Sequence, residues 1–154
     1  MTNSFFARGG WWVLGQSILM LAVIVLALAF HGDWTRLDVI LSGCVLFALG
    51  AVFGIAGVVS LKSNRTPFPK PCEDSRLVQS GIYALVRHPL YTSVILGSLG
   101  WSLVWQSRPA LLVAVALVPF FHAKARREER WLREKFPDYA GYEKRVKRFL
   151  PWLY

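Results

Sequence analysis

The stretch GIYALVRHPLY, residues 81–91, places Gly81, Tyr83, Arg87, His88, Pro89 and Tyr91 directly ahead of a long apolar run. Proline is favoured at the first position of a helix, so the spacing predicts a helix that opens at Pro89 with His88 beside its N-cap. The amide donors at such an end point outward and favour an anion. Arg87 adds a fixed positive charge, and the two tyrosines add flat faces tipped with hydroxyls. This set can hold a carboxylate or phosphate beside a ring. The plainer reading is a membrane-boundary cluster, with Arg87 snorkelling and His88 facing water.

A second constellation, Glu128-Glu129, stands in a strongly basic segment past the last apolar run. One of these carboxylates could receive a cationic group of a ligand. The alternative is a solvated helix face with local Glu–Arg pairs, each contributing about 0.2–0.5 kcal/mol. Several familiar sites are missing: no GxGxxG follows a strand, and there is no P-loop, HExxH or GxSxG. A nucleotide-like cofactor would have to bind without a Rossmann domain. Cys44 lies in an apolar run and Cys72 in a polar loop, so neither a disulfide nor a metal site is expected. Cys72 is a bland loop cysteine or a reactive thiol.

The elements that must position these residues are apolar. Of 154 residues, 55% are hydrophobic and 14% aromatic, which is too apolar for an ordinary soluble domain of this size. The length allows one domain, residues 1–154, divided into an N-terminal part (1–61) and a part carrying the chemistry (62–154). Apolar stretches cover about 11–30, 39–61, 90–105 and 109–123. The first two reach the roughly 20 residues that a spanning helix needs. The last two are shorter and separated only by Gln106, Ser107 and Arg108, so they read as a tight helical hairpin. The expected fold is an all-α integral membrane protein of about four spans with a helical C-terminal tail. Ala27-Leu28-Ala29 resembles a leader-cleavage site, but the apolar run before it is longer than the usual roughly 7–15 residues, so a retained span is expected.

The formal net charge of +9 sits outside the apolar runs. Anionic lipid and membrane orientation account for it, and nucleic acid is not an expected partner. With the N-terminus inside, only Arg36 and Arg108 of all the lysines and arginines lie outside. The positive-inside rule therefore places both termini, and the two constellations, on the cytoplasmic side of the plasma membrane.

Within the second stretch, Gly50 and Gly54 form a small-xxx-small pair between Gly43 and Gly57. The pair reads as packing within the bundle or as a homodimer seam. Pro119 removes an amide and frees the Val115 carbonyl, which predicts a kink in the fourth stretch. The loop 62–88 holds Pro67, Pro69 and Pro71, which favour extended backbone. After it, residues 123–136 read as a helix ended by Pro137. Its Trp131, Leu132 and Phe136 form an apolar edge suited to a membrane surface. Tyr139, Tyr142, Phe149, Trp152 and Tyr154 then predict a tail folded back on the bundle.

Taken in order, RTPFPKP, LVQSGIYALVRHPLYTS, a hydrophobic hairpin and REERWLREKFPDYAGYEKRVKRFLPW resemble the isoprenylcysteine carboxyl methyltransferase and phospholipid methyltransferase group of integral membrane enzymes. The resemblance runs from Arg65 to Tyr154 and is to the compact bacterial members. It implies S-adenosylmethionine as methyl donor. It assigns Gly81, Tyr83, Arg87, His88, Pro89 and Tyr91 to the cofactor pocket, and Glu128 and Glu129 to the cofactor and catalytic region. Tyr139, Tyr142 and Arg145 would close over the cofactor. Some relatives have a catalytic arginine shortly before the paired glutamates. Here Lys124, Arg126 and Arg127 compete for that place, with Arg126 taken as the candidate.

The chemistry suits such a donor. A carboxylate offsets positive charge, Arg or His holds the donor carboxylate, and aromatic rings cover adenine. The acceptor would be a hydrophobic or membrane-borne group: an isoprenylcysteine-type carboxylate, a thiol or a lipid amine. Two other readings share part of the pattern. Membrane sterol reductases, which bind NADPH, also carry Arg-His-Pro-x-Tyr and a tyrosine-rich tail. A non-catalytic membrane scaffold would need only the glycine seam.

Overall fold

The computed structural model describes residues 5–6, 8–33, 35–62, 66, 68, 70 and 75–151. Cys72, Arg65, Pro67, Pro69, Pro71, Trp152 and Tyr154, singled out above, lie outside the described residues. The elements are α1 (Gly10–Ala29), α2 (Leu37–Leu61), a short 3₁₀ turn (Gly81–Ala84), α3 (Pro89–Val104), α4 (Arg108–Lys135) and α5 (Tyr139–Arg145). Among the described residues there is no strand, only one isolated parallel bridge between Val86 and Lys147.

Each predicted apolar stretch forms a helix. Three of them, α1, α2 and α4, are long and apolar enough to cross a membrane, while α3 is a shorter apolar helix. The fourth stretch and the charged segment after it are not separate elements. They form one helix of 28 residues that runs through Pro119 and ends before Phe136. The segment carrying Trp131 and Leu132 is therefore the end of α4 and not a helix of its own. The turn between α3 and α4 is as tight as the spacing predicts. Gln106 takes φ 50° there, and Ser107 Oγ donates to the Leu26 carbonyl at 3.0 Å, tying the turn to the end of α1.

Packing follows the small residues. A Cβ on Gly50 would come within 2.8 Å of the Gly97 amide nitrogen, and one on Gly43 within 2.8 Å of the Gly100 carbonyl oxygen. Gly54 likewise faces Ser93. The glycine face, read above as packing within the bundle or as a homodimer seam, packs against α3 of the same chain, and the backbones of α2 and α3 approach closely. On the other side α1 packs mainly on α4, and α3 packs on α4, while α1 and α2 barely touch one another. The common core is Val23, Ile95, Ala114, Leu117, Phe121, Ala125 and Phe149. Outward positions are large and apolar, with Ile18, Leu21, Ile55 and Val59 all exposed, as lipid-facing helices require.

Candidate functional site

The Arg-His-Pro segment meets the tail. Pro89 opens α3 and brings no amide of its own, and the residues before it take backbone partners from the chain end. The Arg87 amide donates to the Lys147 carbonyl at 2.8 Å, and the His88 amide to the Arg148 carbonyl at 3.1 Å. Thr92 Oγ1 donates to the Phe149 carbonyl at 3.0 Å. The Tyr142 hydroxyl donates to the Tyr83 carbonyl at 2.6 Å. The tail is thereby fastened across the start of α3, as its aromatic content predicts.

At the centre is Glu129, whose side chain is 0% exposed. Its Oε1 accepts from Arg87 Nε at 3.2 Å and Nη2 at 2.8 Å, and from Arg148 Nε at 3.0 Å. His88 Nε2 lies 3.0 Å from the same oxygen. Oε2 accepts from Arg148 Nη2 at 2.6 Å. Burying a carboxylate costs several kcal/mol unless it is paired and fully hydrogen-bonded, and two guanidinium groups meet that demand here. Arg87 Nη1 is engaged as well, donating to the carbonyls of Glu143 and Val146 at 2.8 Å each. Those carbonyls belong to the end of α5, where the helix leaves acceptors without partners. All three Arg87 nitrogens are thus bonded within the protein. In this arrangement Arg87 positions the tail against α4, and it also borders the cavity described below.

Glu128 points elsewhere. Its Oε2 accepts from the Tyr91 hydroxyl at 2.5 Å and lies 3.7 Å from His88 Nδ1. The His88 and Tyr91 rings stack in parallel, centroids 5.2 Å apart. Adjacent residues on a helix are about 100° apart, so one glutamate of the pair faces the protein interior and the other a neighbouring space.

That space is a cavity of about 200 Å³. Tyr83, His88, Tyr91, Glu128, Tyr139 and Tyr142 form its polar wall, and Leu61, Leu90 and Val94 an apolar one. The Tyr139 hydroxyl is buried and has no hydrogen-bond partner among the described residues. Burial, reinforced by the charge of Glu129, raises the Tyr139 phenol above its ordinary range, and burial does the same to Tyr83 and Tyr142. These hydroxyls are therefore neutral donors at neutral pH. An unpartnered buried donor in a cavity wall is the kind of group a ligand oxygen or nitrogen satisfies.

Of the three basic residues that compete before the glutamates, Lys124 borders the cavity. It is 1% exposed. Its Nζ donates to Gln16 Oε1 of α1 at 2.6 Å and lies 4.9 Å from the Tyr91 ring centroid. Arg126 is exposed. Two residues further along a helix is about 200° of rotation, which carries Arg126 away from the cavity that Lys124 and Glu128 share. The structure thus places Lys124, and not Arg126, in the cavity wall.

Other sequence candidates take supporting places. Gly81 does not border the cavity; its φ of +62° turns the chain into the 3₁₀ turn, a conformation that favours glycine. Pro89 opens α3 from a buried position. Arg145 is exposed and donates to Gln79 Oε1 at 3.1 Å, outside the cavity. Two residues escaped the sequence reading. Arg148 was one charge among many in the tail and counted only toward orientation. Gln16 is a carboxamide inside an apolar run, and that interruption was the available signal.

Comparison with known proteins gives the family of the chain. The family model described as phospholipid methyltransferase matches residues 39–139. The chain is 39% identical to the cobalt-zinc-cadmium resistance protein CzcN of Cupriavidus metallidurans over 53% of its own length and 38% of that protein's. It is 27% identical to the nickel-cobalt-cadmium resistance protein NccN of Alcaligenes xylosoxydans, over 98% and 68% of the two chains. A protein of Oryza sativa named "Probable protein-S-isoprenylcysteine O-methyltransferase" is 31% identical over 92% of this chain and 76% of its own. The span shared with the first of these is well under half of that protein's length. With two thirds of its residues inside the family model, the chain belongs to the phospholipid methyltransferase family, the isoprenylcysteine and phospholipid methyltransferase group of membrane proteins.

Proposed function

We propose that the protein transfers a methyl group from S-adenosylmethionine to a hydrophobic, membrane-borne acceptor, in the cavity between α3, α4 and the tail. The observation that carries this reading is the pairing of an unpartnered Tyr139 hydroxyl with the Glu128 carboxylate in the wall of one cavity. The residues fit the donor. Glu128 offers negative charge to its cationic portion, Tyr83 and Tyr142 offer ring faces, and Tyr139 offers a free hydroxyl. When bound, S-adenosylmethionine supplies a methyl carbon made electrophilic by its sulfonium.

The chain's own residues then act mainly by position. Tyr91 holds Glu128 by a 2.5 Å hydrogen bond, and His88 braces the Tyr91 ring from the other side. Glu129, Arg87 and Arg148 lock α4, α3 and the tail into one rigid wall. Such a wall reduces the cost of aligning two reactants and keeps water out. Leu61, Leu90 and Val94 give the acceptor an apolar approach. Lys124, at the same cavity, is the basic group best placed to act on the acceptor. None of the matched proteins favours the reductase or scaffold readings.

The topology that goes with this reading has four crossings, with both termini and the cavity on the cytoplasmic side of the plasma membrane. At 1.5 Å per residue, α3 spans about 24 Å, so local bilayer thinning or burial in the bundle accommodates it. The test is calorimetric titration of S-adenosylhomocysteine into detergent-purified protein. Micromolar binding to the wild type, weakened in Glu128→Gln and Tyr139→Phe, is the expected result. Absence of binding to folded protein overturns the reading.

A further inference from the structure

The connection between α2 and the 3₁₀ turn supplies part of the cavity wall, through Thr66, Phe68, Ser75, Leu77 and Val78. Its later part is tied to α4 and α5. Ser75 Oγ accepts from Lys135 Nζ at 2.9 Å, and Gln79 Oε1 accepts from Arg145 Nη2 at 3.1 Å. Phe68, in the RTPFPKP stretch, is held differently. Its amide donates to Thr66 Oγ1 at 3.2 Å, a local turn of the kind threonine makes with the backbone two residues on. Its ring is gripped from the other end of the chain. The Arg8 guanidinium carbon lies 4.2 Å from the ring centroid. The Phe5 ring meets it edge to face, with centroids 5.4 Å apart.

Phe5 and Arg8 are in turn placed by the entry to α1. Gly9 takes φ +88°, and the Gly9 and Gly10 amides donate to the Phe6 and Phe5 carbonyls at 3.0 Å each. The Phe5 ring is folded onto Gly10 and leaves no room there for a side chain. A cation over a ring face, or a ring edge against it, each shifts a side-chain equilibrium by roughly two- to tenfold. A ring already ordered in a cavity wall loses no freedom when a ligand packs on it, and gains of this kind appear mainly in the dissociation rate.

We propose that Arg8 is a positioning residue: it fixes the Phe68 ring as an aromatic wall of the cavity, against which a flat ring of the bound ligand packs. The inference rests on the methyl-transfer reading in taking that flat ring to be the purine of the methyl donor. The residues before α1 then govern how fast the cofactor leaves, although Arg8 itself does not border the cavity.

The experiment is the dissociation of S-adenosylhomocysteine from the full-length protein in nanodiscs, followed by surface plasmon resonance. Arg8→Met keeps an unbranched side chain and removes the charge, and dissociation should speed up by about three- to tenfold. Arg8→Lys keeps a cation and should return most of that change. Phe68→Leu should speed dissociation at least as much, and adding Arg8→Met to it should have no further effect, because the two residues act as one unit. Phe5→Leu, which removes the second contact on the ring, takes the place of Arg8→Met in the same cycle if that variant does not fold. Three results overturn the proposal and leave methyl transfer standing. They are an Arg8→Met that releases at the wild-type rate, an Arg8→Lys as fast as Arg8→Met, or an Arg8→Met effect that is undiminished without Phe68. Absence of binding to folded wild type overturns the methyl-transfer reading, and the role of the Phe68 ring with it.

Discussion

Arg148 grips Glu129 with two parallel hydrogen bonds, Nη2 to Oε2 at 2.6 Å and Nε to Oε1 at 3.0 Å. One residue lies in the tail and the other near the end of α4, so this pair fixes the tail to the bundle. Arg148→Ala leaves Arg87 and His88 on Glu129 but strands one carboxylate oxygen in a buried site. Leaving a buried charged group partly unsatisfied costs about 1–3 kcal/mol. Thermal unfolding in detergent should show a clear fall in Tm, and Arg148→Lys, which cannot form the parallel pair, should recover only part of it.

The Tyr139 hydroxyl separates stability from binding. Its oxygen is buried and has no partner among the described residues. Tyr139→Phe removes an unsatisfied polar group, so the ligand-free protein should be unchanged or about 1 kcal/mol more stable. If the hydroxyl meets the cofactor, affinity for S-adenosylhomocysteine should fall by about tenfold. Melting curves with and without that ligand check both halves, and a variant that melts higher yet gains less from ligand is the expected outcome.

The helices were legible because their apolar runs contain no Asp, Glu, Lys or Arg. The Arg-His-Pro cluster was legible because Pro89 marks a helix start and the polar residues crowd around it. The division of labour between the glutamates was not. Reading the fourth run as ending near Ala123, where charges begin, hid the stripe Leu117, Phe121, Ala125 and Glu129. These residues recur every fourth position and are all buried. The neighbouring row of Lys124, Glu128 and Leu132 faces the cavity. Carrying the helical period on to residue 129 would have shown Glu129 turned inward and Arg126 turned away. The Arg148 pairing was beyond reach of the sequence, because it depends on where the returning tail crosses α3.

The glycine seam gives a test of oligomer state as well as packing. Gly50 faces the Gly97 amide nitrogen across α2 and α3, with no room for a side chain. Gly50→Val should force the two helices apart and cost about 1–3 kcal/mol, lowering Tm. Because the crowded partner is in the same chain, light scattering should show no change in oligomeric state and no dependence of Tm on protein concentration. A concentration-dependent Tm in wild type that disappears in the variant would instead place the seam between two copies.

The tail also carries a pH-sensitive contact. Glu143 of α5 accepts from Arg133 Nε and Nη2 at 2.8 Å each. Those hydrogen bonds are the main reason its carboxyl is held below the ordinary range. A lowered carboxylate pKa gives stability that is present above the unfolded value, near 4.3, and is lost as pH falls through the folded value. The pair is partly exposed, so its contribution is about 0.2–1 kcal/mol. Hydrogen exchange of the amides of Tyr139–Arg145 should report it. Protection should fall as the medium is acidified below about pH 4, after correction for intrinsic rates. Glu143→Gln should lower protection at pH 7 and flatten that dependence. An unchanged acid-side loss in the variant would trace it to another carboxylate of the tail.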